Sequence, residues 1–216
     1  VSDQIEDVPD VSAELYREIT EFAQSTPPWF QTLAEIGTEA VLLLFAALFL
    51  AAWWRARSQD TRTMTLALLA PVATVAAYVI SELSKGLMEE DRPCRVLRGV
   101  SAIAECPPYG DWSFPSNHAT LVAAAAAAMT VAWRRTAPYV LVLAVLGAFS
   151  RVFVGVHYPH DVIAGSLLGA VVAPPLMLAL TPLLTPLVAR LRAGGPLRPA
   201  LTAAAAADRA GHARRG

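Results

Sequence analysis

Five stretches of the chain carry almost no polar residues: Ile36 to Trp54, Met64 to Leu83, Ala119 to Trp133, Tyr139 to Phe153 and Val162 to Leu187. A helix crossing a bilayer needs about 20 apolar residues, and its backbone groups must be satisfied within the segment. The runs therefore predict an all-α, polytopic membrane bundle. The third and fourth are short by this count and reach full length only by borrowing polar residues at their ends. Buried helices of a soluble protein are a poor alternative for five such runs in 216 residues. In the last run Gly165 and Gly169 form a small-xxx-small step that lets helices approach closely, expected to serve packing within the bundle ahead of dimerisation. Pro174, Pro175, Pro182 and Pro186 should kink or break that run, because proline removes a helical donor and clashes with the preceding turn.

Before the first run, Val11, Leu15, Ile19 and Phe22 recur at near-helical spacing with acids between them. This stripe predicts an amphipathic helix lying on the outer membrane face; simple packing against the bundle is the other reading. Pro27 and Pro28 should end it, and Trp29 and Phe30 suit the headgroup level. The first thirty residues are acidic and polar, unlike a cleavable signal peptide. Beyond Leu187 the Gly, Pro, Ala and Arg content predicts a tail of little fixed structure, with His212 solvated. The chain is thus read as an N-terminal segment (1–30), a transmembrane domain (31–190) and a cytoplasmic tail (191–216), with five or six membrane helices in all.

Composition agrees with lipid as the solvent: 55% of residues are hydrophobic and 16% charged, with a mean hydropathy of +0.46. The net charge of -1 averages over two compartments; no nucleic-acid partner is expected. Segments rich in Lys and Arg tend to stay in the cytoplasm. With the N-terminus outside, the inner segments hold eleven basic residues and the outer ones six, Arg17, Lys85, Arg92, Arg95, Arg98 and Arg151. A multi-pass cell-membrane protein with a cytoplasmic C-terminus follows. Cys94 and Cys106 then fall in an outer loop, where two thiols can oxidise; a disulfide is expected, and two reduced small hydrophobes are the alternative.

This topology gathers three polar clusters at one outer surface. KGLMEEDRP (Lys85 to Pro93) lies where the second run exits, PSNH (Pro115 to His118) where the third enters, and SRVFVGVHYPHD (Ser150 to Asp161) between the fourth and fifth. Lys85, Arg92 and Arg151 supply three positive charges, with Ser116 and helix-entry N–H groups as neutral donors. Such a set suits a tetrahedral oxyanion, since guanidinium forks pair with phosphate oxygens and helix N-termini favour anions. His118 and His157 offer a nucleophile and an acid. Asp161, four residues after His157, would fix its tautomer and leave the other nitrogen free to attack.

Each residue also has a plainer reading. Basic side chains near membrane exits commonly snorkel to headgroups, and Arg95, Arg98 and a structural His160 are read in such terms. Glu89, Glu90 and Asp91 would repel a phosphate, so they are expected to face water or pair with Arg95 or Arg98. A metal held by His and Asp is disfavoured by three neighbouring cations; neither metal nor cofactor is expected.

The spacings Lys-x6-Arg-Pro, Pro-Ser-x-His and Ser-Arg-x5-His-x3-Asp, in that order from Lys85 to Asp161, resemble the signature of the type 2 phosphatidic acid phosphatase superfamily. That superfamily includes membrane lipid phosphatases, polyprenyl diphosphate phosphatases and soluble vanadium haloperoxidases. The resemblance implies that His157 is the nucleophile forming a phosphohistidine, that Asp161 orients it, and that His118 protonates the leaving oxygen. It gives Lys85, Arg92, Ser116 and Arg151, with the backbone at Asn117 and His118, the phosphoryl oxygens. The expected activity is metal-independent hydrolysis of a polyprenyl or glycerolipid phosphate or diphosphate on the extracytoplasmic leaflet of a bacterial membrane. A non-catalytic lipid-phosphate binder or transporter and a vanadium-dependent haloperoxidase are the alternatives. Two departures stand out: the second motif commonly has Gly where this chain has Asn117, and many members have six spans.

Overall fold

The computed structural model describes residues 8–97 and 99–203. Its regular elements among these residues are all helical. An N-terminal helix, α1 (Asp10–Ser25), precedes two long helices, α2 (Pro28–Ala56) and α3 (Thr61–Met88). A short α4 (Pro93–Val96) and a long loop lead to α5 (Asn117–Ala132); α6 (Ala137–Phe153), α7 (Pro159–Ala193) and a short α8 (Arg198–Leu201) complete the chain.

Four segments are long and apolar enough to cross a membrane: Pro28–Ala56, Thr61–Val96, Arg134–Phe153 and Pro159–Ala193. The predicted third run falls short. At 16 residues, α5 is about 24 Å long at 1.5 Å per residue. It can be short because it is the central helix, packed against α7, α6, α3 and α2, so its depth is set by its neighbours.

The seam between α5 and α7 is built on glycine. A Cβ on Gly165 would lie 2.4 Å from the Ser116 carbonyl oxygen, and one on Gly169 2.3 Å from that of Thr120. The small-residue step thus packs α7 against α5 within the bundle. By contrast, the four prolines neither break nor end the last helix: α7 runs through all of them for 35 residues. Membrane helices tolerate proline where neighbouring helices and Ser or Thr side chains re-satisfy the backbone. Thr181 and Thr185 donate one turn back, to the carbonyls of Met177 at 2.6 Å and Thr181 at 2.7 Å, each next to a carbonyl that Pro182 or Pro186 leaves without its helical donor.

In α1 the predicted stripe is rotated away from the protein. Ser12, Tyr16, Thr20 and Ala23 face the bundle, whereas Val11 and Phe22 are 68% and 63% exposed. Tyr16 anchors the helix by donating to the Gly155 carbonyl at 2.8 Å. The packed face is therefore the small and polar one, and the apolar face is left outward. Trp29 and Phe30 belong to the first turn of α2. At the other end of the chain the tail is held up to Ala203, whose N–H donates to the Arg57 carbonyl at 3.0 Å, as does Arg192 at 3.2 Å. His212 lies outside the described residues.

Candidate active site

The C-terminal ends of α3 and α6 and the N-terminal ends of α5 and α7 meet at one end of the bundle. Each carries part of a predicted motif. Ser116 caps α5, its Oγ accepting from Ala119 N at 3.4 Å, while Asp161 sits in the first turn of α7 and accepts the Tyr158 N–H at 2.9 Å. A backbone bond from Ser116 N to the Asp161 carbonyl, 3.1 Å, ties the two starts together. Gly165, one turn into α7, allows that approach.

His157 is 2% exposed and held from both sides. Its Nδ1 is 3.2 Å from Asp161 Oδ2, and its Nε2 is 3.0 Å from Arg92 Nη1. Arginine only donates, so Nε2 is the acceptor and the ring proton sits on Nδ1, toward the carboxylate. Burial, set against the Asp161 hydrogen bond and helped by the Arg92 charge, lowers the His157 pKa to about 4. The ring is neutral at pH 7, with its lone pair directed at the guanidinium. Asp161 is fully buried and receives a further donor, Ser113 Oγ, at 2.6 Å.

Lys85 Nζ and Arg92 Nη2 converge on one atom, Oδ1 of Asp111, at 2.6 and 2.9 Å. Both cations are nearly buried, with 4% and 3% of their side chains exposed. Arg92 is oriented further by the carbonyls of Asp111 at 2.8 Å and Val156 at 3.0 Å. Arg151 reaches the same neighbourhood, within electrostatic range of Arg92 and Asp111, but its hydrogen bonds go to α2: Thr38 Oγ1 at 3.2 Å and Glu39 Oε1 at 3.3 Å. His118 bonds the Thr38 backbone and lies within electrostatic range of His157 and Arg151. Its Nε2 is buried without a partner.

Asn117 has a different use from the glycine it replaces. Its side chain bridges to α3, accepting from Ser81 Oγ at 2.7 Å and donating to Glu82, so only its backbone faces the first turn of α5. Cys94 and Cys106 are joined as a disulfide, which pins the loop carrying Asp111 and Ser113 to α4.

The acids after Lys85 divide. Asp91 pairs with Arg95 at 3.8 Å and Glu89 is exposed, as expected. Glu90, however, turns inward to His160 Nε2 at 3.0 Å. His160 is accordingly more than a lone structural histidine: it bridges Ser12 Oγ of α1 at 2.7 Å, Glu90, and Asp161 Oδ1 at 3.2 Å. Its ring stacks between Phe114 and Tyr158. The ligand-type atoms of Glu90, His160 and Asp161 lie within 4.8 Å of one another, so these are the residues that could hold a metal among those described. Arg98 lies outside the described residues. Sequence reasoning missed Asp111, Ser113, Thr38 and Glu39.

Residues 66–183 match the PAP2 superfamily model. The chain belongs to the PAP2 superfamily. It is 37% identical over 114 residues to the undecaprenyl-diphosphatase of Sulfolobus acidocaldarius, a match covering 50% of this chain and 52% of that protein. It is 33% identical to undecaprenyl-diphosphatase BcrC of Bacillus subtilis over 70% of this chain and 75% of that one. Only about half the archaeal relative's length is thus spanned. The crystal structure of Aquifex aeolicus LpxE superposes with a TM-score of 0.59 at 20% identity, covering 81% of this chain and 98% of that chain, which establishes a common fold.

Proposed function

We propose that this PAP2 protein is an integral membrane lipid phosphatase that hydrolyses a polyprenyl diphosphate, or a related lipid phosphate, through a phosphohistidine on the extracytoplasmic side. The observation that carries the reading is the pairing at His157. A neutral imidazole presents Nε2 to Arg92 while Asp161 fixes the opposite nitrogen, beside two buried cations already converging on one acidic oxygen. The names of the two undecaprenyl-diphosphatases supply the substrate class, and the basic residues gathered in the opposite segments supply the orientation.

Phosphoryl transfer asks a protein chiefly for positioning and for charge stabilisation on the equatorial oxygens. Lys85, Arg92, Arg151, Ser116 and the first N–H groups of α5 hold those oxygens. Arg92 then turns its Nη1–H from His157 to the phosphoryl group and frees the nucleophile. His157 Nε2 bonds to phosphorus as the bond to the leaving oxygen breaks, and that oxygen takes a proton from His118 Nε2. Water next attacks phosphorus, giving its proton to His118; the P–N bond breaks and inorganic phosphate leaves.

The test is phosphate release from purified protein with a panel of lipid phosphates in the presence of a chelator, together with single-turnover trapping of the phosphoenzyme. His157→Ala abolishes both signals. A lipid alkoxide leaves poorly without a proton and a phosphate group needs one much less. His118→Ala therefore costs far more on a monophosphate than on a diphosphate. Binding without any phosphoenzyme would instead favour a non-catalytic carrier.

A further inference from the structure

Asp111 meets the site's cations in the manner of a ligand. A single carboxylate oxygen takes Lys85 at 2.6 Å and Arg92 at 2.9 Å, yet the Asp111 side chain is 42% exposed. A structural ion pair in a core is buried on both sides; this acid comes from the solvent side onto two buried cations. It rides at the tip of a loop whose flanks are fixed, by the Cys94–Cys106 disulfide and by Ser113 N donating to the Glu90 carbonyl at 2.7 Å. The backbone of the tip is held by Arg95, which donates to the Pro107 and Pro108 carbonyls and lies over the Tyr109 ring at 4.9 Å, and by Arg92 Nε on the Asp111 carbonyl at 2.8 Å, so what is free to move is the Asp111 side chain and its outer surroundings. Tyr109 is 84% exposed, and Gly110, at φ +90°, has open space around it.

We propose that Asp111 is a tethered carboxylate that fills the phosphoryl subsite of the resting protein and thereby selects headgroups by charge, admitting phosphate monoesters and diphosphates and turning away phosphodiesters. This rests on the phosphatase reading for the identity of the ligand. A monoester carries about -1.5 to -2 at pH 7 and a diphosphate no less, whereas a phosphodiester carries one negative charge, the same as Asp111. A diester entering the cage exchanges one monoanion for another. It must also outcompete a tethered rival whose effective concentration is in the millimolar range for a short flexible linker. A dianion gains a second charge's worth of contact with Lys85, Arg92 and Arg151. The plug stays charged: burial alone would raise the Asp111 pKa, but the Lys85 hydrogen bond and the Arg92 charge outweigh it and lower the value. In a membrane whose bulk lipids are phosphodiesters, such a filter keeps the cage from being occupied by its own solvent.

The experiment is calorimetric titration of the full chain in detergent with tungstate, a tetrahedral dianion whose binding needs no turnover. If the carboxylate is seated about nine-tenths of the time, apparent affinity is reduced about tenfold. Asp111→Asn is then expected to bind tungstate about tenfold more tightly, Asp111→Ser to do the same with a smaller side chain, and Asp111→Glu to return toward the weak wild-type value. With lipid substrate, Asp111→Asn lowers KM, and phosphatidylglycerol in the mixed micelles becomes an inhibitor. Equal or weaker tungstate binding by both neutral variants, with a fall in kcat, overturns the proposal, because it makes Asp111 a brace for Lys85 and Arg92. A wild type that binds tungstate but releases no phosphate from any lipid counts against the phosphatase reading alone.

Discussion

Substituting Gly165 by alanine tests how closely the α5–α7 seam governs the chemistry. The new Cβ would lie 2.4 Å from the Ser116 carbonyl oxygen, and ordinary contact begins at 3.4 Å, so the helices must part by about 1 Å. The obstacle is backbone at the cap of α5, which cannot rotate aside as a side chain could. Overpacking of this kind costs about 1–3 kcal/mol. The functional loss should be larger than the stability loss suggests, because the seam joins the turn bearing Ser116 and His118 to the turn bearing His157 and Asp161. A misplacement of about 1 Å between reacting groups costs about 10²-fold in rate. Steady-state phosphate release and thermal unfolding in detergent, run on Gly165→Ala, Gly169→Ala and Gly37→Ala, separate the two effects. Gly169→Ala meets the Thr120 carbonyl at 2.3 Å, one turn deeper, and should lose stability with a smaller loss of kcat/KM. Gly37, with nothing within 4 Å, is the neutral control. A Gly165→Ala protein within threefold of wild type in kcat/KM would refute the idea that this seam sets the site's register.

Three further outcomes are expected. Because the His157 pKa is lowered from 6.5 to about 4 in the folded protein, the unfolded chain takes up a proton first as pH falls. Its contribution to stability is therefore complete above pH 6.5 and is lost on the way down to about pH 4, a loss on the order of 3 kcal/mol; melting temperature against pH should be flatter in His157→Gln. Ser113→Ala removes the 2.6 Å donor to buried Asp161, which should cost about 1.5–3 kcal/mol in unfolding experiments and lower kcat more than it changes KM. Reducing the Cys94–Cys106 disulfide should destabilise by about 2–4 kcal/mol, read as a melting shift with dithiothreitol that the Cys94→Ser, Cys106→Ser double variant does not show.

What the sequence made legible was whatever local chemistry forces. Apolar runs must become helices in lipid, and motifs at run ends must lie where helices end, so Lys85, Arg92, His118, His157 and Asp161 were found together. Asp111 and Ser113 escaped because they sit on a loop whose path is decided by tertiary anchors, the disulfide and the Glu90 backbone, that leave no periodic trace. Glu39 could have been found from the sequence. A carboxylate inside an apolar run needs a partner, and Arg151 was the basic residue at the same end. The stripe of α1 marked the helix and its outward apolar face, but nothing in it marked Tyr16 and the small residues beside it as the face that the bundle takes.

The charges of the site imply a proton that moves with the ligand. In the resting protein Lys85 and Arg92 pair with Asp111, Arg151 pairs with Glu39, and Asp161 meets neutral His157 and His160, which Glu90 also meets. Exchanging Asp111 for a tetrahedral dianion adds one negative charge to this set. The buried Nε2 of His118, without a partner in the resting state, is the position at which a proton both offsets that charge and stands ready for the leaving oxygen. Burial and the Arg151 charge hold the His118 pKa down at about 3 in the resting protein, so tungstate, by raising it, should draw in a fraction of a proton that grows as pH falls. Calorimetry at pH 6 and at pH 8 in buffers of different ionisation enthalpy measures it directly. The uptake should vanish in His118→Ala and persist in His157→Gln. Zero uptake by the wild type would mean that the ligand's charge is met elsewhere, and that His118 does not acquire its catalytic proton on binding.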